Sequence, residues 1–190
     1  MPLKKIVVLG PESTGKSTLC AQLAARYKSS WVPEYARTYL QDTSNSYQYD
    51  DLWEIAKGQM LGEATAEKNY YLMQPGGARK AAYPLFIDTD LYVVKIWSEI
   101  SFNKCDNRIL TRIAQTKPDL YLLCNTDLAW AADPLREYPD LQMRQKIYQF
   151  YLDAMVNQHV PWVNISGGYD ERLQKANESI DDCLSAGIPI

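Results

Sequence analysis

Five short apolar runs punctuate the chain: Lys5 to Leu9 (KIVVL), Ser30 to Val32, Leu85 to Ile87 (LFI), Leu120 to Cys124 (LYLLC) and Pro161 to Ile165. Stretches with helical spacing lie between them. Apolar residues recur at Leu19, Leu23 and Tyr27 within Lys16 to Tyr27, and at Leu52, Ile55, Ala56 and Met60 in a segment from Asp50 to about Leu72. Gln74-Pro75-Gly76-Gly77 stops that second helix. Glu34 to Gln41 reads as a short helix with Pro33 at its entrance, where a missing N–H costs little. Further helices carry Val94, Trp97 and Ile100 on one face, span roughly Asp106 to Gln115, bury Leu141, Gln145, Tyr148, Leu152 and Met155, and close the chain with Leu173, Ala176, Ile180 and Leu184. Strands alternating with helices predict an α/β three-layer sandwich, with a five-stranded, mainly parallel sheet covered on both faces.

Two stretches break the rhythm. Thr43 to Tyr49 (TSNSYQY) is polar and loop-like, and Asn125 to Pro139 is a longer polar segment with two prolines and Arg136. The second is the candidate lid, at approximately 125–140. No repeat, low-complexity segment or linker divides the sequence, so a single domain over 1–190 is expected.

Composition narrows the class. A 46% hydrophobic share suits one sizeable core, and a net charge of −3 with no dense Lys/Arg cluster leaves little footprint for duplex nucleic acid. No apolar run approaches a membrane span and the first residues are too short for a signal-peptide core, which predicts a cytoplasmic protein without nucleic-acid or membrane partners. Cys20, Cys105, Cys124 and Cys183 form no C-x-x-C pair, and with the single His159 they offer no zinc spacing.

The strongest chemical signal is Gly10-Pro11-Glu12-Ser13-Thr14-Gly15-Lys16-Ser17, which fits G-x-x-x-x-G-K-S/T between a predicted strand and a predicted helix. The glycines let backbone N–H groups turn inward around phosphate and the helix start adds its positive end. Gly10, Glu12, Ser13, Thr14, Gly15, Lys16, Ser17 and Thr18 are therefore candidate nucleotide-binding residues. Lys16 reaches the β and γ phosphates, and Ser17 is a ligand for Mg²⁺.

Other polar residues fall where ligands bind in open α/β sheets, at the carboxyl ends of strands. Asp88 directly follows a strand and is the candidate second Mg²⁺ ligand; Asp127 is its rival, although Asn125 and Thr126 intervene before it. Asp90 either joins the site or caps the helix beginning at Leu91. Glu34 can accept or orient an attacking hydroxyl proton and Arg37 can hold a phosphoryl group, unless the two form a plain i, i+3 surface pair. Gln59 lies inside an apolar helical stripe, so its buried amide must meet either a substrate or a backbone carbonyl. Arg136, with Arg144 as a second contributor, is the candidate lid cation, and Tyr35, Tyr92 and Trp97 are rings able to stack on a flat substrate.

Taken together, GPESTGKSTL, VPEYAR, the IAKGQ helix, FIDTDLYVVKIW and D-P-L-R resemble the ribosylnicotinamide kinase domain of the NadR family, from Ile6 to about Ile180. The resemblance implies a P-loop kinase fold that uses ATP and Mg²⁺ to phosphorylate the 5′-hydroxyl of nicotinamide riboside, giving nicotinamide mononucleotide. Carried over by position, Lys16 and Ser17 match the nucleotide site, Glu34 and Arg37 the acceptor residues, Asp88 and Asp90 the DTD pair, and Arg136 the lid arginine. Lys16, Glu34, Asp88 and Arg136 are thus the candidate catalytic set, and Glu34, Tyr35, Arg37, Gln59, Asp88, Asp90, Tyr92 and Trp97 the candidate acceptor contacts. Where the family usually shows Asp-Gly before the lid arginine, this chain has Asp133-Pro134, which removes an N–H and stiffens the turn. The helix-turn-helix and adenylyltransferase parts of larger members have no counterpart in these motifs. Two other functions fit the same residues: a kinase for another nucleoside or a nucleoside monophosphate, and a P-loop ATPase switch that phosphorylates nothing. Homo-oligomer formation is left open.

Overall fold

Successive residues of the first strand face opposite sides of a sheet, yet Ile6, Val7, Val8 and Leu9 are all buried. A strand is apolar on both faces only where both are covered. The computed structural model, which describes residues 3–43, 46–72 and 82–186, supplies that cover as two helical layers. In chain order the elements are β1 (Leu3–Leu9), α1 (Lys16–Tyr27), β2 (Trp31–Val32), α2 (Tyr35–Asp42), α3 (Asp51–Leu72), β3 (Tyr83–Asp88), α4 (Leu91–Phe102), α5 (Asn107–Gln115), β4 (Leu120–Cys124), α6 (Leu141–Val156), β5 (Trp162–Ile165) and α7 (Tyr169–Ser185). Ile6 and Val8 pack with Leu19 and Leu23 of α1 and Ala176 and Ile180 of α7. Val7 and Leu9 pack on the other side with Ile96 of α4 and Ile147, Tyr148 and Met155 of α6. Leu52, Ile55, Leu91, Val94 and Ile109 form a third cluster among α3, α4 and α5.

The five strands lie in the order β2-β3-β1-β4-β5, and every pairing is parallel. Because β1 has β3 on one side and β4 on the other, the chain leaves the sheet in opposite directions around it. Such a reversal opens a crevice at the carboxyl ends of the strands. Gly10 follows β1, Asp88 ends β3 and Asn125 follows β4, so the glycine loop, the acidic strand end and the 125–140 segment share one edge.

The expected elements are all present, with differences at their ends. β3 runs from Tyr83 rather than Leu85. Proline normally ends a strand, but β2 pairs with β3 only at Phe86 and Ile87, so Pro84 lies beyond that paired span. Glu34 and Asp106 are N-caps rather than first helical residues, and Pro33 stands before the cap instead of opening the helix. The Gln74-to-Gly77 stop falls outside the described residues. Among the described residues no helix is long and apolar enough to cross a membrane.

Candidate functional site

The glycine loop is shaped by three left-handed positions. Gly10 has φ +139°, and a Cβ there would stand 2.5 Å from the Cys124 carbonyl oxygen, so β1 and β4 can close together only around a glycine. Gly15, at φ +78°, caps α1, and Ser13 takes φ 56° between them. The Thr14 hydroxyl donates to the Pro11 carbonyl at 2.8 Å and Lys16 Nζ donates to the same oxygen at 2.9 Å. From behind, Arg172 of α7, only 3% exposed, donates to the carbonyls of Thr14 and Asn125 at 2.9 Å each and of Gly167 at 2.7 Å. It also pairs with Asp127. A guanidinium has five donors and is costly to bury unpaired, so four partners make it a rigid buttress for the loop. The spacing of α7 turns Arg172 inward, four residues before Ala176 and eight before Ile180, but does not tell what it meets there.

Asp88 sits beneath the loop at 1% exposure. Burial is the main cause that pushes its carboxyl up to about 6, and the charge of Glu34 adds to it. Lys16, the nearby Ser17 hydroxyl and Arg37 pull the other way. Glu34, Lys16, Ser17 and Arg37 are therefore near enough to act on the charge of Asp88. Asp88 Oδ1 is buried without a hydrogen-bond partner. Asp127 is placed differently: it pairs with Arg172 and accepts the Gly167 N–H at 2.6 Å. Ser17 thus has Asp88 and not its rival as carboxylate neighbour.

The cleft, about 1090 Å³ including its solvent mouth, is lined by the loop from Gly10 to Thr18 and by Glu34, Arg37 and Arg136. Leu40 of α2, Val93, Ile96, Trp97 and Ile100 of α4, and Ile147 and Tyr151 of α6 form its apolar wall. Trp97 donates its indole N–H to the Tyr47 hydroxyl at 3.0 Å, and Tyr47 donates to Glu137 at 2.9 Å.

The 125–140 segment folds over the loop through specific contacts. Glu12 accepts the N–H groups of Glu137 at 2.9 Å and Tyr138 at 3.1 Å, and burial raises its carboxyl pKa. Ser13 accepts the Ala131 N–H at 2.8 Å. Arg136 bonds the Ala131 carbonyl and lies 5.7 Å from the Trp130 ring centroid. At Asp133-Pro134 the Asp133 carboxylate accepts the Leu135 N–H at 3.0 Å and pairs with Arg37 at 3.0 Å. Arg37 is therefore not a local partner of Glu34; it ties α2 to the segment. Arg144 is buried on α6 with two guanidinium nitrogens unpartnered, 5.3 Å from Trp130, and does not line the cleft.

Four expected acceptor contacts lie elsewhere. Asp90 caps α4, accepting the Tyr92 N–H at 2.9 Å and the Tyr121 hydroxyl at 3.1 Å, and burial pushes it up to about 6. Gln59 turns inward as its spacing requires, but meets backbone: it accepts from Tyr35 N–H and donates to the Thr89 carbonyl. Tyr35 packs over Gly58, where a Cβ would stand 2.1 Å from its ring, and faces a separate groove. Tyr92 packs edge-on against Tyr121 at 5.8 Å as part of the core. Of the rings expected at the acceptor, Trp97 alone lines the cleft.

With this geometry in view, residues 5–172 match the family described as AAA domain. The chain is 26% identical over 187 residues to the trifunctional NAD biosynthesis/regulator protein NadR of Salmonella typhimurium, and equally to that of Escherichia coli. That alignment covers 96% of this chain and 43% of each relative, so the chain spans under half their length. Crystal structures of NadR, one in complex with NR and one with NAD and AMP-PNP, superpose with a TM-score of 0.73 at 19% and 20% identity, covering 98% of this chain and 51% of those. Thymidylate kinase from Ehrlichia chaffeensis superposes at 0.64 with 10% identity over 95% of this chain and all of its own. The architecture is thus a P-loop kinase-like fold.

Proposed function

The chain belongs to the AAA domain family, and from that premise we propose that it transfers the γ-phosphoryl group of ATP to the 5′-hydroxyl of nicotinamide riboside, giving nicotinamide mononucleotide and ADP. The observation that carries this reading is that Lys16, Ser17, Glu34 and Arg37 line one cleft with an apolar wall ending in Trp97, above the buried Asp88, whose carboxyl responds to the charges of Glu34, Lys16 and Arg37. A switch that only hydrolyses ATP has no use for an apolar and aromatic wall beside its phosphate loop. The likeness to NadR, whose solved complexes hold NR and an ATP analogue, supports the choice of acceptor and donor.

The glycine loop binds the phosphates through its inward N–H groups, and Lys16 neutralises charge as the γ-phosphoryl leaves the β oxygen. Glu34, lining the cleft at the entrance to α2, orients the acceptor hydroxyl and takes its proton as the new P–O bond forms. Arg136 brings a cation from the lid, approximately 125–140, and closure of that segment excludes water. Asp88 and Ser17 would hold Mg²⁺: both offer oxygen, and the unpartnered buried Oδ1 suits a hard cation. When bound, the ion neutralises charge on the β and γ phosphates. Among the described residues no three His, Cys, Asp or Glu side chains gather, so the rest of its shell would come from phosphate and water.

The test is ATP consumption against a panel of ribonucleosides, nucleoside monophosphates and the neutral reduced form of nicotinamide riboside. Phosphorylation of nicotinamide riboside with the highest kcat/KM is expected. The cationic form should exceed the neutral one, because Glu34 and Asp88 are acidic and Trp97 offers a π face. A pyrimidine nucleoside or a monophosphate as best acceptor overturns the assignment, and ATP hydrolysis indifferent to every acceptor favours the switch.

A further inference from the structure

Gln59 occupies a core position of α3, at 2% exposure, in line with Leu52, Ile55 and Ala56. An amide there has to recover the hydrogen bonds it lost on leaving water. It does so at two backbone atoms from different parts of the chain. Oε1 accepts the Tyr35 N–H at 2.9 Å and Nε2 donates to the Thr89 carbonyl at 3.0 Å. The partners fix the orientation of the amide, because only its oxygen can accept from an N–H and only its nitrogen can donate to a carbonyl.

Both partners are unusual. Tyr35 is the first residue of α2, and its N–H is one that the helix cannot satisfy internally. The residue at the N-cap, Glu34, makes no side-chain cap. A Ser or Asp at that position would bond the helix end itself; here Gln59 supplies an acceptor from another helix, and the Glu34 carboxylate lines the cleft instead. Thr89 lies at φ 68°, a left-handed conformation that a β-branched residue rarely adopts. It is held there by its N–H, which donates to the Val8 carbonyl at 3.0 Å, and by its carbonyl, which accepts from Gln59. Thr89 also separates Asp88, at the strand end, from Asp90, which caps α4. Its backbone conformation therefore sets how the chain turns from Asp88 at the strand end into α4.

We propose that Gln59 is a positioning residue that fixes Glu34 and Asp88 relative to one another, by tying the start of α2 to the left-handed residue after β3. It touches neither substrate nor phosphate. The catalytic significance of that separation rests on the kinase reading above, whereas the tie itself does not. Strain stored at Thr89 and released without the tie gives the effect a direction: Asp88 and Glu34 drift apart.

Gln59→Met tests this, because methionine keeps an unbranched side chain of similar volume and loses both bonds. Two measurements are made on the same protein. The first is its crystal structure, in which the Glu34 and Asp88 carboxyls are expected to separate by roughly 1 Å or more, with Thr89 leaving the left-handed region. The second is kinetics with ATP and nicotinamide riboside, in which kcat is expected to fall on the order of 10- to 100-fold, the loss typical of a misplacement of about 1 Å, while ATP dissociation measured directly changes less than about twofold. An unmoved Thr89 and an unchanged separation overturn the proposal whatever the enzyme phosphorylates. A shifted separation in a chain that phosphorylates no nucleoside upholds the tie and overturns the kinase reading. If kcat and ATP affinity fall in proportion, Gln59 serves the fold alone and the proposal fails.

Discussion

Replacing Glu63 by glutamine should flatten the dependence of stability on pH. Glu63 lies on α3, 9% exposed, and its carboxyl is pushed up to about 8 from an ordinary 4.5. Burial is the main cause and the charge of Asp90 adds to it, while Lys5 and the nearby Gln59 amide pull the other way. The folded protein therefore holds a proton that the unfolded chain gives up. Below about pH 4.5 both states are protonated and the contribution to stability is complete. Between pH 4.5 and 8 the unfolded state gains ever more from ionising, so stability falls as pH rises, and above 8 it levels off.

A difference of about 3.5 pKa units at ~1.4 kcal/mol each caps the loss near 5 kcal/mol; local relaxation brings the expected figure to roughly 2–5 kcal/mol. In Glu63→Gln the amide has no proton to lose and keeps the shape of the acid. Urea unfolding followed by the fluorescence of the five tryptophans should show equal midpoints for the two proteins near pH 5. At pH 8.5 the variant should unfold about 1–3 M later, given a urea slope of ~1–3 kcal/mol/M. The variant should still lose some stability as pH rises, because Asp88 and Asp90 are also raised, each to about 6. A difference between wild type and variant that is constant from about pH 5 to 8.5 would falsify the buried-acid account.

Three other perturbations address the nucleotide side. Lys16→Ala should leave the melting temperature within about 2 °C and lower turnover on the order of a hundredfold, since it removes one preorganised charge; an active variant removes the loop from catalysis. Asp88→Asn should raise the Mg²⁺ concentration needed for half-maximal activity while Asp127→Asn should not, because Asp127 is engaged by Arg172 and Gly167. The reverse pattern would move the metal ligand to β4. Arg136→Ala should lower kcat by about tenfold or more with ATP affinity nearly intact, as measured by single-turnover kinetics beside direct titration, and equal losses would mark a ground-state phosphate contact.

What is legible in the sequence is local. The glycine loop is recognisable because every constraint on it lies within a few residues: a strand, two tight turns and a helix start. Asp88 is legible for a related reason, since a carboxylate that directly ends an apolar run has to emerge at the sheet edge. Gln59 and Asp90 mark where local reading stops. Periodicity turns Gln59 inward without saying what lies inward, and its partners are 24 and 30 residues away. Asp90 suits a site or a cap equally well by its neighbours alone; the Tyr121 hydroxyl from β4, 31 residues on, takes up its second oxygen. Tyr35 and Tyr92 escape the local reading for a simpler reason. A ring adjacent in sequence to a site residue projects to the other side of its helix or strand as often as into the cleft, and only packing decides.

The long-range contacts also give the apolar wall of the cleft a physical link to the glycine loop. Glu12, inside the loop, holds the Glu137 and Tyr138 N–H groups. The Glu137 carboxylate accepts from Tyr47, whose hydroxyl accepts from Trp97 on the wall of the cleft. On the opposite side Arg37 reaches Asp133. A segment attached to the glycine loop through Glu12, to the cleft wall through Glu137 and to α2 through Asp133 is held at both of its sides. Charge-assisted bonds of this kind are individually strong enough to hold a short irregular segment, and weak enough to exchange when phosphate oxygens compete for the same N–H groups. Pro134 fits that arrangement rather than opposing it. It stiffens the turn beside Asp133, whose carboxylate holds both the Leu135 N–H and Arg37, and so helps to fix the backbone from which Arg136 projects.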